Sequence, residues 1–239
     1  MSTDLPYFAG VDGSPGGWVA VIRPFDGDTV RVAVFAKITE LIKAEPGLAA
    51  IAIDMPIGLP ERIIGPGRGP EKAVRGMLGQ RQSSVFSVPV RSAVAETDYR
   101  LASLAALAGS EPPRKVSKQS FLIFPKIREV DEALRATPGL ADRMIETHPE
   151  VVFRQIKGSP LSFPKKTTEG KAERRTLLLA AGVPPDLVES APPSGAKQDD
   201  LIDAIACSWV AKRYALGAAM AWPDPFERDP FGLPMAIWT

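Results

Sequence analysis

The chain has 239 residues, of which 45% are hydrophobic and 24% charged, which is the composition of a soluble globular protein with a full apolar core. Its 29 Lys and Arg residues nearly balance its 28 Asp and Glu residues. The resulting net charge of +1 excludes a protein that coats nucleic acid through a global basic field, but a local basic cleft is compatible with it.

Residues 1–6 carry neither a basic start nor an apolar stretch, and no later run approaches the roughly 18 apolar residues of a membrane span. We therefore expect a cytoplasmic protein with no membrane partner. The single cysteine, Cys207, lies in an apolar helical pattern, which indicates a core residue and not a nucleophile.

The first predicted element is a β-hairpin. An apolar run from Phe8 ends at Asp12, a glycine-rich turn follows, and the apolar residues from Trp18 to Ile22 return. A third strand, residues 29–35, follows the turn Asp26-Gly-Asp28. An ionised carboxylate at the end of a buried strand needs a partner. Asp12 is therefore either a metal ligand or an acceptor for the amides of the glycine turn.

A short helix containing Leu41 and Ile42 precedes a fully apolar strand, Leu48 to Ile53, which ends at Asp54. A helix between strands implies a parallel return, so this fourth strand can lie beside the first. Asp54 would then lie next to Asp12 at one edge of the sheet, and two neighbouring carboxylates require a cation.

From Met55 to Arg100 the chain is rich in Pro, Gly and Arg, which predicts a long loop region near the acidic edge. Arg81, with the hydroxyls of Ser83 and Ser84, is the candidate phosphate-binding group there, although the same residues would also suit a solvated surface. Residues 97–109 and 117–134 are predicted helices, with a kink or break at Pro125.

A last strand, residues 143–147, leads into His148-Pro149-Glu150 at the start of a helix. Glu146 and Glu150 are candidate catalytic carboxylates, but Glu150 also suits a first helical turn, and His148 suits a structural role. A basic strip then follows, which predicts a second phosphate-binding region or a solvated face. Its candidate residues are Lys165, Lys166 and Lys171.

The segment from Lys197 onward predicts a late helix that becomes buried after its first turn. Asp200 and Asp203 are three residues apart and share one helix face, where like charges repel each other. Asp199 or Asp200 would suit an N-terminal cap, whereas Asp203 lies where the helix turns apolar, which favours a function. The proline-rich tail from Trp222 predicts an irregular strap.

Carboxylates at the ends of two strands and on a late helix form the pattern that two-metal phosphoryl chemistry requires. Several further motifs accompany them along nearly the whole chain. They are Gly10-Val-Asp-Gly13 with Gly16-Gly-Trp18, Ile53-Asp-Met-Pro-Ile-Gly58, Arg81 with Ser83-Ser-Val-Phe86, Pro125-Lys-Ile-Arg-Glu-Val-Asp131, Glu146-Thr-His-Pro-Glu150, Lys165-Lys-Thr167 with Gly170, and Asp199-Asp-Leu-Ile-Asp-Ala204.

Together these motifs resemble domain-of-unknown-function family 429, whose members are described as predicted nucleases of the RNase H-like fold. The resemblance implies an α/β fold with a mixed sheet, three antiparallel strands followed by parallel strands, flanked by helices. It implies one domain over residues 1–239, with a long insertion at about 55–135 beside the active site.

The resemblance further implies a metal-dependent nuclease that binds two Mg²⁺ or Mn²⁺ ions through Asp12, Asp54, Asp200 and Asp203. Asp200 is paired with Asp203 because their spacing is similar to the final carboxylate pair of Holliday-junction resolvases. Those enzymes usually carry Glu where this chain has Asp54, and they have no clear counterpart of the motif containing Glu146 and Glu150. The partner would be nucleic acid of unspecified type, and a homodimer is a further expectation.

Two alternatives stay open on the sequence. An inactive scaffold of the same fold would bind structured nucleic acid by shape and keep no catalysis. An actin-like nucleotide phosphotransferase also begins with a strand, an Asp and a glycine turn, although this chain is short for two such domains.

Overall fold

The computed structural model describes residues 7–27 and 29–239. The first six residues and Asp28, the end of the expected Asp26-Gly-Asp28 turn, lie outside the described part. The molecule is built on a five-stranded sheet with the strand order β3-β2-β1-β4-β7. Its strands are β1 (Tyr7–Ser14), β2 (Gly17–Pro24), β3 (Arg31–Phe35), β4 (Leu48–Ile53) and β7 (Met144–Glu146).

The pairing of these strands matches the predicted mixed sheet. β1, β2 and β3 form an antiparallel meander, whereas β4 lies parallel to β1 and β7 lies parallel to β4. The hairpin turn closes on Gly17, whose φ of +124° and contact with the backbone of Phe35 suit only glycine. Helices flank the sheet, which confirms the expected α/β class.

The helices pack on two faces of the sheet. On one face lie α1 (Ile38–Ala44), α3 (Arg91–Ala95), α4 (Tyr99–Gly109), α5 (Lys118–Leu122) and α6 (Phe124–Ala136). The other face carries α7 (Pro149–Lys157), α8 (Thr168–Ala180), α9 (Pro185–Val188) and α10 (Gln198–Ala215). The expected break between two helices near Pro125 is confirmed, since α6 begins one residue before it.

The stretch from Met55 to Arg100 is more ordered than the predicted loop. It contains α2 (Gly69–Arg75), a 3₁₀-helix (Gly76–Ser84) and α3, and β5 (Ile63–Ile64) pairs in parallel with β6 (Ser110–Glu111). Proline at the start of a helix stabilises its first turn, and Pro70 occupies that position in α2. The abundance of Pro and Gly here therefore marks short helices and their boundaries.

The prediction of an irregular strap after Trp222 is also wrong in part. Residues from this region form β8 (Ala221–Arg228) and β9 (Pro234–Trp238), an antiparallel pair. Their pairing is interrupted between Trp222 and Glu227, the segment that contains Pro223 and Pro225. Because proline lacks an N–H donor, paired residues border this segment while its centre stays outside the ladder.

Among the described residues no helix is both long and apolar enough to cross a membrane.

Candidate functional site

Three carboxylates meet at the carboxyl-terminal edge of the central sheet. Asp12 lies near the end of β1, Asp54 directly follows β4, and Asp203 lies in α10. One oxygen from each side chain lies within 4.8 Å of the others. We call this group the carboxylate triad. Its members are far apart in sequence, so the fold and not a local turn brings them together.

Two features of the fold position the triad. β1 and β4 are parallel neighbours, and the Asp54 N–H donates to the Val11 carbonyl at 2.9 Å, which sets the two strand ends side by side. α10 then crosses β1 at Gly10, where an added Cβ would lie 2.0 Å from the Ser208 nitrogen and 2.1 Å from the Ala204 oxygen. This backbone contact brings Asp203 over the end of the strand.

Burial raises the pKa of each member of the triad, and neighbouring carboxylates add to the rise. Burial is the main cause of the rise in the pKa of Asp12 well above its usual value, and the charges of Asp54, Asp203 and Asp200 add to it. Burial likewise raises the pKa of Asp54, against the nearby positive groups. The pKa of Asp203 rises to about 6, again through burial, which Lys165 partly opposes.

Both roles foreseen for Asp12 occur together. Its Oδ1 accepts a hydrogen bond from the Gly13 N–H at 2.6 Å, as expected for an aspartate at a glycine turn. The same side chain also belongs to the triad. One amide donor does not satisfy a carboxylate with about four acceptor positions, so this bond leaves Asp12 available to a cation.

Two lysines border the triad. The Lys165 Nζ lies 3.2 Å from the Asp203 Oδ2, and this carboxylate raises the pKa of the lysine. Lys126 in α6 lies across from it, with its ammonium 4.2 Å from the centre of the Trp18 ring and bonded to the Gly17 carbonyl. Partial burial lowers the pKa of Lys126.

Lys126 is absent from the residues predicted for the site. It lies in the first turn of α6, where the helix dipole disfavours a cation. This position is the sequence signal that could have identified Lys126 as a site residue. A lysine at the N-terminus of a helix is disfavoured by the dipole, so it needs a negatively charged partner elsewhere. Here its neighbours include the negative charges of Asp12 and Asp200.

Asp200 lies outside the carboxylate triad. Its Oδ2 accepts a hydrogen bond from the Lys197 N–H at 2.9 Å, which is the capping role that the sequence left open. Its charge still contributes to the raised pKa of Asp12, so the two side chains are near neighbours. Its role as a ligand for a second ion stays a prediction.

A cavity of about 810 Å³ opens above the triad. It holds most of the predicted site residues, but Lys171 lies instead in a small cleft beside Arg174 and Asp199. Besides the triad, the predicted residues that line the cavity are Arg81, Ser83, Ser84, Glu146, Glu150, Lys165 and Lys166.

The predicted phosphate-binding group of Arg81 lies on the cavity wall. The Arg81 guanidinium donates to the Leu161 carbonyl at 3.4 Å and approaches Glu150 only at 3.8 Å. Ser84 uses its hydroxyl locally, donating to the Arg81 carbonyl at 2.8 Å, whereas Ser83 is exposed. Arg81 therefore keeps donors for a ligand, while Ser84 serves the turn.

Glu146 belongs to a buried ion-pair network. Arg68 lies 2.8 Å from Glu146 and 2.6 Å from Glu71, and it also donates to the carbonyls of Ile57 and Gly58. The other Glu146 oxygen accepts from the Ile57 N–H at 2.8 Å. Burial raises the pKa of Glu146 to about 7, although Arg68 opposes the shift. These contacts favour a structural role for the glutamate.

Glu150 and His148 lie at the start of α7 and line the cavity beside Arg81 and Ser84. Arg174 pairs with the Glu150 Oε1 at 2.5 Å, and the Oε2 is buried without a partner in the described structure. The His148 Nε2 lies 3.3 Å from the Ser84 carbonyl, and its Nδ1 is likewise buried without a described partner. Each side chain thus contains one buried polar atom without a described partner.

Cys207 lies beneath the site. It is fully buried, as its sequence context predicts, and burial raises the pKa of its thiol well above the usual value. A neutral buried thiol is a poor nucleophile.

The model of a family described as "Protein of unknown function (DUF429)" matches residues 10–228. No curated protein and no solved structure matches the chain. The matched range contains the carboxylate triad and every motif quoted above. The chain therefore belongs to this family of proteins of unknown function.

Proposed function

We propose that this protein is a metal-dependent nuclease of the RNase H-like class, which hydrolyses phosphodiester bonds at the carboxylate triad. The observation that carries the proposal is the convergence of Asp12, Asp54 and Asp203 within 4.8 Å at the floor of a large open cavity. Three carboxylates in such a space are unfavourable without a cation, as their raised pKa values express.

The donor set fits a hard divalent cation. Mg²⁺ and Mn²⁺ prefer carboxylate oxygens, and the triad offers three of them at about the spacing of ligands around one ion. When bound, such a cation neutralises developing charge on phosphate and makes water more acidic. A second ion is part of the proposal, with Asp200 as its ligand once the side chain leaves Lys197.

The cations around the triad would hold the phosphodiester. Lys165 forms an ion pair with Asp203 in the absence of a metal. A cation held by Asp203 would replace the lysine as the partner of the carboxylate and leave Lys165 available to a phosphate oxygen. Arg81 and Lys166 line the same cavity and add donors, since charge-assisted hydrogen bonds to phosphate are the strong ones. Lys126 offsets negative charge beside Asp12.

The hairpin turn favours a nuclease over an actin-like phosphotransferase. A phosphate-cradling turn needs amides that face a ligand. Here the Gly16 N–H donates to the Gly195 carbonyl at 2.8 Å, and Gly17 packs against the backbone of Phe35 and Ala36. The turn is closed by the protein itself.

The test is a panel of labelled single-stranded, duplex, hybrid and four-way nucleic acids incubated with Mg²⁺ or Mn²⁺. We expect cleavage of at least one substrate, loss of that cleavage in EDTA, and a loss of at least 100-fold in Asp12→Asn, since a metal ligand is removed. Asp186→Asn changes an exposed aspartate in α9 and is the matched control. Binding without cleavage by the intact protein would favour the inactive scaffold.

A further inference from the structure

A second groove adjoins the cavity and is formed by the segment between β4 and α6. It has a volume of about 610 Å³ and shares Ser83, Val85 and Phe86 with the cavity wall. Its cationic lining residues are Arg75, Arg114 and Lys115. No carboxylate is found among its lining residues. We call this surface the insertion groove.

The positive charges of the insertion groove are not neutralised by ion pairs. Within residues 7–27 and 29–239, neither Arg114 nor Lys115 has a carboxylate within ion-pair distance, and both are exposed. Arg114 makes one long hydrogen bond, 3.4 Å, to the Pro66 carbonyl. In a chain with a net charge of only +1, a groove whose charged lining residues are all cations favours the binding of an anion.

Phe86 stands at the junction of the groove and the cavity and lines both. It is partly exposed and belongs to none of the three apolar clusters of the described structure. It also has no aromatic partner among the described ring pairs. Packing of the core therefore does not account for this ring.

Arg75 holds the residues on both sides of Phe86. Its guanidinium donates to the Val85 carbonyl at 3.1 and 3.2 Å and to the Ser87 hydroxyl at 2.7 Å. Arg75 thus holds the loop that presents the ring and keeps its own charge beside the groove. It is a positioning residue for Phe86.

From these observations we propose that the insertion groove binds a single strand of nucleic acid, with one base stacked on Phe86 and the adjoining phosphates near Arg114 and Lys115. A positively charged groove with an aromatic platform is the combination that recognises single strands. A duplex covers the faces of its bases, so it cannot stack on Phe86 except at an end. The proposal rests on the proposed nuclease function and assigns its substrate class, a strand running from the groove to the triad.

The test measures binding without catalysis. Fluorescence anisotropy in EDTA follows a labelled oligothymidylate of about 12 nucleotides, within the site sizes of single-strand grooves. An oligouridylate of the same length distinguishes DNA from RNA, and a relaxed closed-circular duplex, which has no ends, serves as the competitor at equal nucleotide concentration. We expect the intact protein to bind a single strand, of either sugar, more tightly than the duplex.

Variants then separate stacking from charge. Phe86→Ala should weaken single-strand binding by about 5- to 150-fold, whereas Phe86→Tyr should retain it. The slope of log K against log salt is negative. The double variant Arg114→Ala/Lys115→Ala should make it shallower by about 1.4, because two fewer counterions are released. The matched control, Lys43→Ala/Arg100→Ala, removes two exposed cations outside both cavities and should leave the slope unchanged.

Two outcomes overturn the proposal. One is single-strand affinity that stays unchanged in both Phe86→Ala and the double variant, each checked by its melting curve for correct folding. The other is duplex binding as tight as single-strand binding. If either outcome is found while the protein still cleaves nucleic acid, the groove proposal is rejected and the nuclease proposal is kept. If strand binding depends on the groove residues but no cleavage occurs in Mg²⁺ or Mn²⁺, the nuclease proposal is rejected and strand binding in the groove is kept.

Discussion

The triad residues carry more negative charge than their surroundings favour. Asp12, Asp54 and Asp203 lie close together at the end of the sheet, and Lys165 is the one cation that forms an ion pair with them in the described structure. In the unfolded chain the carboxylates separate, so the metal-free fold contains a local electrostatic penalty. A cation that binds only the folded protein offsets that penalty and shifts the unfolding equilibrium.

Divalent cations should therefore raise the melting temperature. At a free concentration near 100 times the dissociation constant the gain is about 2.7 kcal/mol, or roughly 5–11 °C for a chain of this size. Asp12→Asn should melt at or above the wild type without metal and lose most of the metal-induced shift. Differential scanning fluorimetry with Mg²⁺ and Mn²⁺ measures both effects. Asp186→Asn, outside the triad, should respond as the wild type does.

A variant Asp12→Asn that melts several degrees lower without metal, yet responds to Mg²⁺ normally, would contradict the ligand role. Asp12 would then serve the Gly13 turn alone.

The raised pKa of Asp203 predicts how metal-free stability depends on pH. Between its unfolded pKa and its folded pKa of about 6, the folded state binds more protons than the unfolded state, so stability falls as pH rises through this window. The loss is on the order of 3 kcal/mol. Urea unfolding in EDTA at several pH values between about 4 and 8 measures it.

Asp12, Asp54 and Glu146 also have raised pKa values and contribute in the same direction, so the wild type must be compared with Asp203→Asn. The difference between the two curves reports Asp203 together with the part of the Asp12 shift that the Asp203 charge causes. Parallel curves across the whole range would show that Asp203 does not titrate as argued.

At the scale of elements, the contact between α10 and β1 decides where Asp203 lies. Gly10→Ala would place a methyl group about 2 Å from the backbone of α10, and neither backbone can yield without moving the helix. We expect a destabilisation of about 3 kcal/mol or more, with a weaker metal-induced melting shift. Denaturant unfolding and scanning fluorimetry measure the two effects.

Gly76→Ala is the control for that substitution. Gly76 has an ordinary helical φ of −60°, and an added Cβ there would meet nothing within 4 Å. The free energy of unfolding of the Gly76→Ala variant should differ from that of the wild type by less than about 1 kcal/mol. Equal behaviour of the two glycine variants would remove the close approach as the reason for glycine at position 10.

The Arg68 network joins α2 to β7, and its loss would expose how far Glu146 is structural. Arg68→Met leaves Glu71 and Glu146 buried without their cation, which should cost about 3–5 kcal/mol. Adding Glu71→Leu and Glu146→Leu should recover part of that loss, because no buried charge is then uncompensated. Urea unfolding of the single and triple variants measures the recovery. No destabilisation by Arg68→Met would reopen a catalytic role for Glu146.

Sequence reasoning at this scale succeeded where one pattern dominates. The uninterrupted apolar run from Leu48 to Ile53 predicts a buried parallel strand, and β4 has those bounds. It failed between Met55 and Arg100, because Pro and Gly mark helix ends as readily as loops. It failed again after Trp222, where strand pairing depends on distant residues such as Ile237 and not on local propensity.

The candidate site was predictable to the extent that strand direction determines it. Parallel strands end at one edge of a sheet, so the meeting of Asp12 and Asp54 follows from the order of elements. The choice between Asp200 and Asp203 depends on which side chain turns toward the strand and which caps the helix. Lys126 reaches the site from a separate helix. Such side-chain placements depend on tertiary packing, which periodicity does not report.

At the scale of the whole molecule, the segment between β4 and α6 completes the core. One apolar cluster combines sheet residues such as Val11 and Ile53 with Val90, Ala106 and Val116 of that segment. Replacing residues 63–116 by a short Gly/Ser linker would remove α3 and α4 from one face of the sheet and expose part of the cluster. We expect the shortened chain to lose cooperative unfolding, as measured by circular dichroism during heating.

A shortened chain that retains a sharp transition would contradict this expectation. The segment would then be an independent addition to a self-sufficient sheet.

The wide spacing of the triad along the chain has a consequence for biosynthesis. Asp12 and Asp54 leave the ribosome early, but Asp203 and the cavity residue Ile237 follow only after most of the polypeptide has been made. Until α10 has emerged and packed on Gly10, the nascent chain has no triad. The proposed nuclease would thus stay inert while tethered to the messenger and ribosomal RNA that produce it. Fragments released by premature termination before α10 would be inert for the same reason.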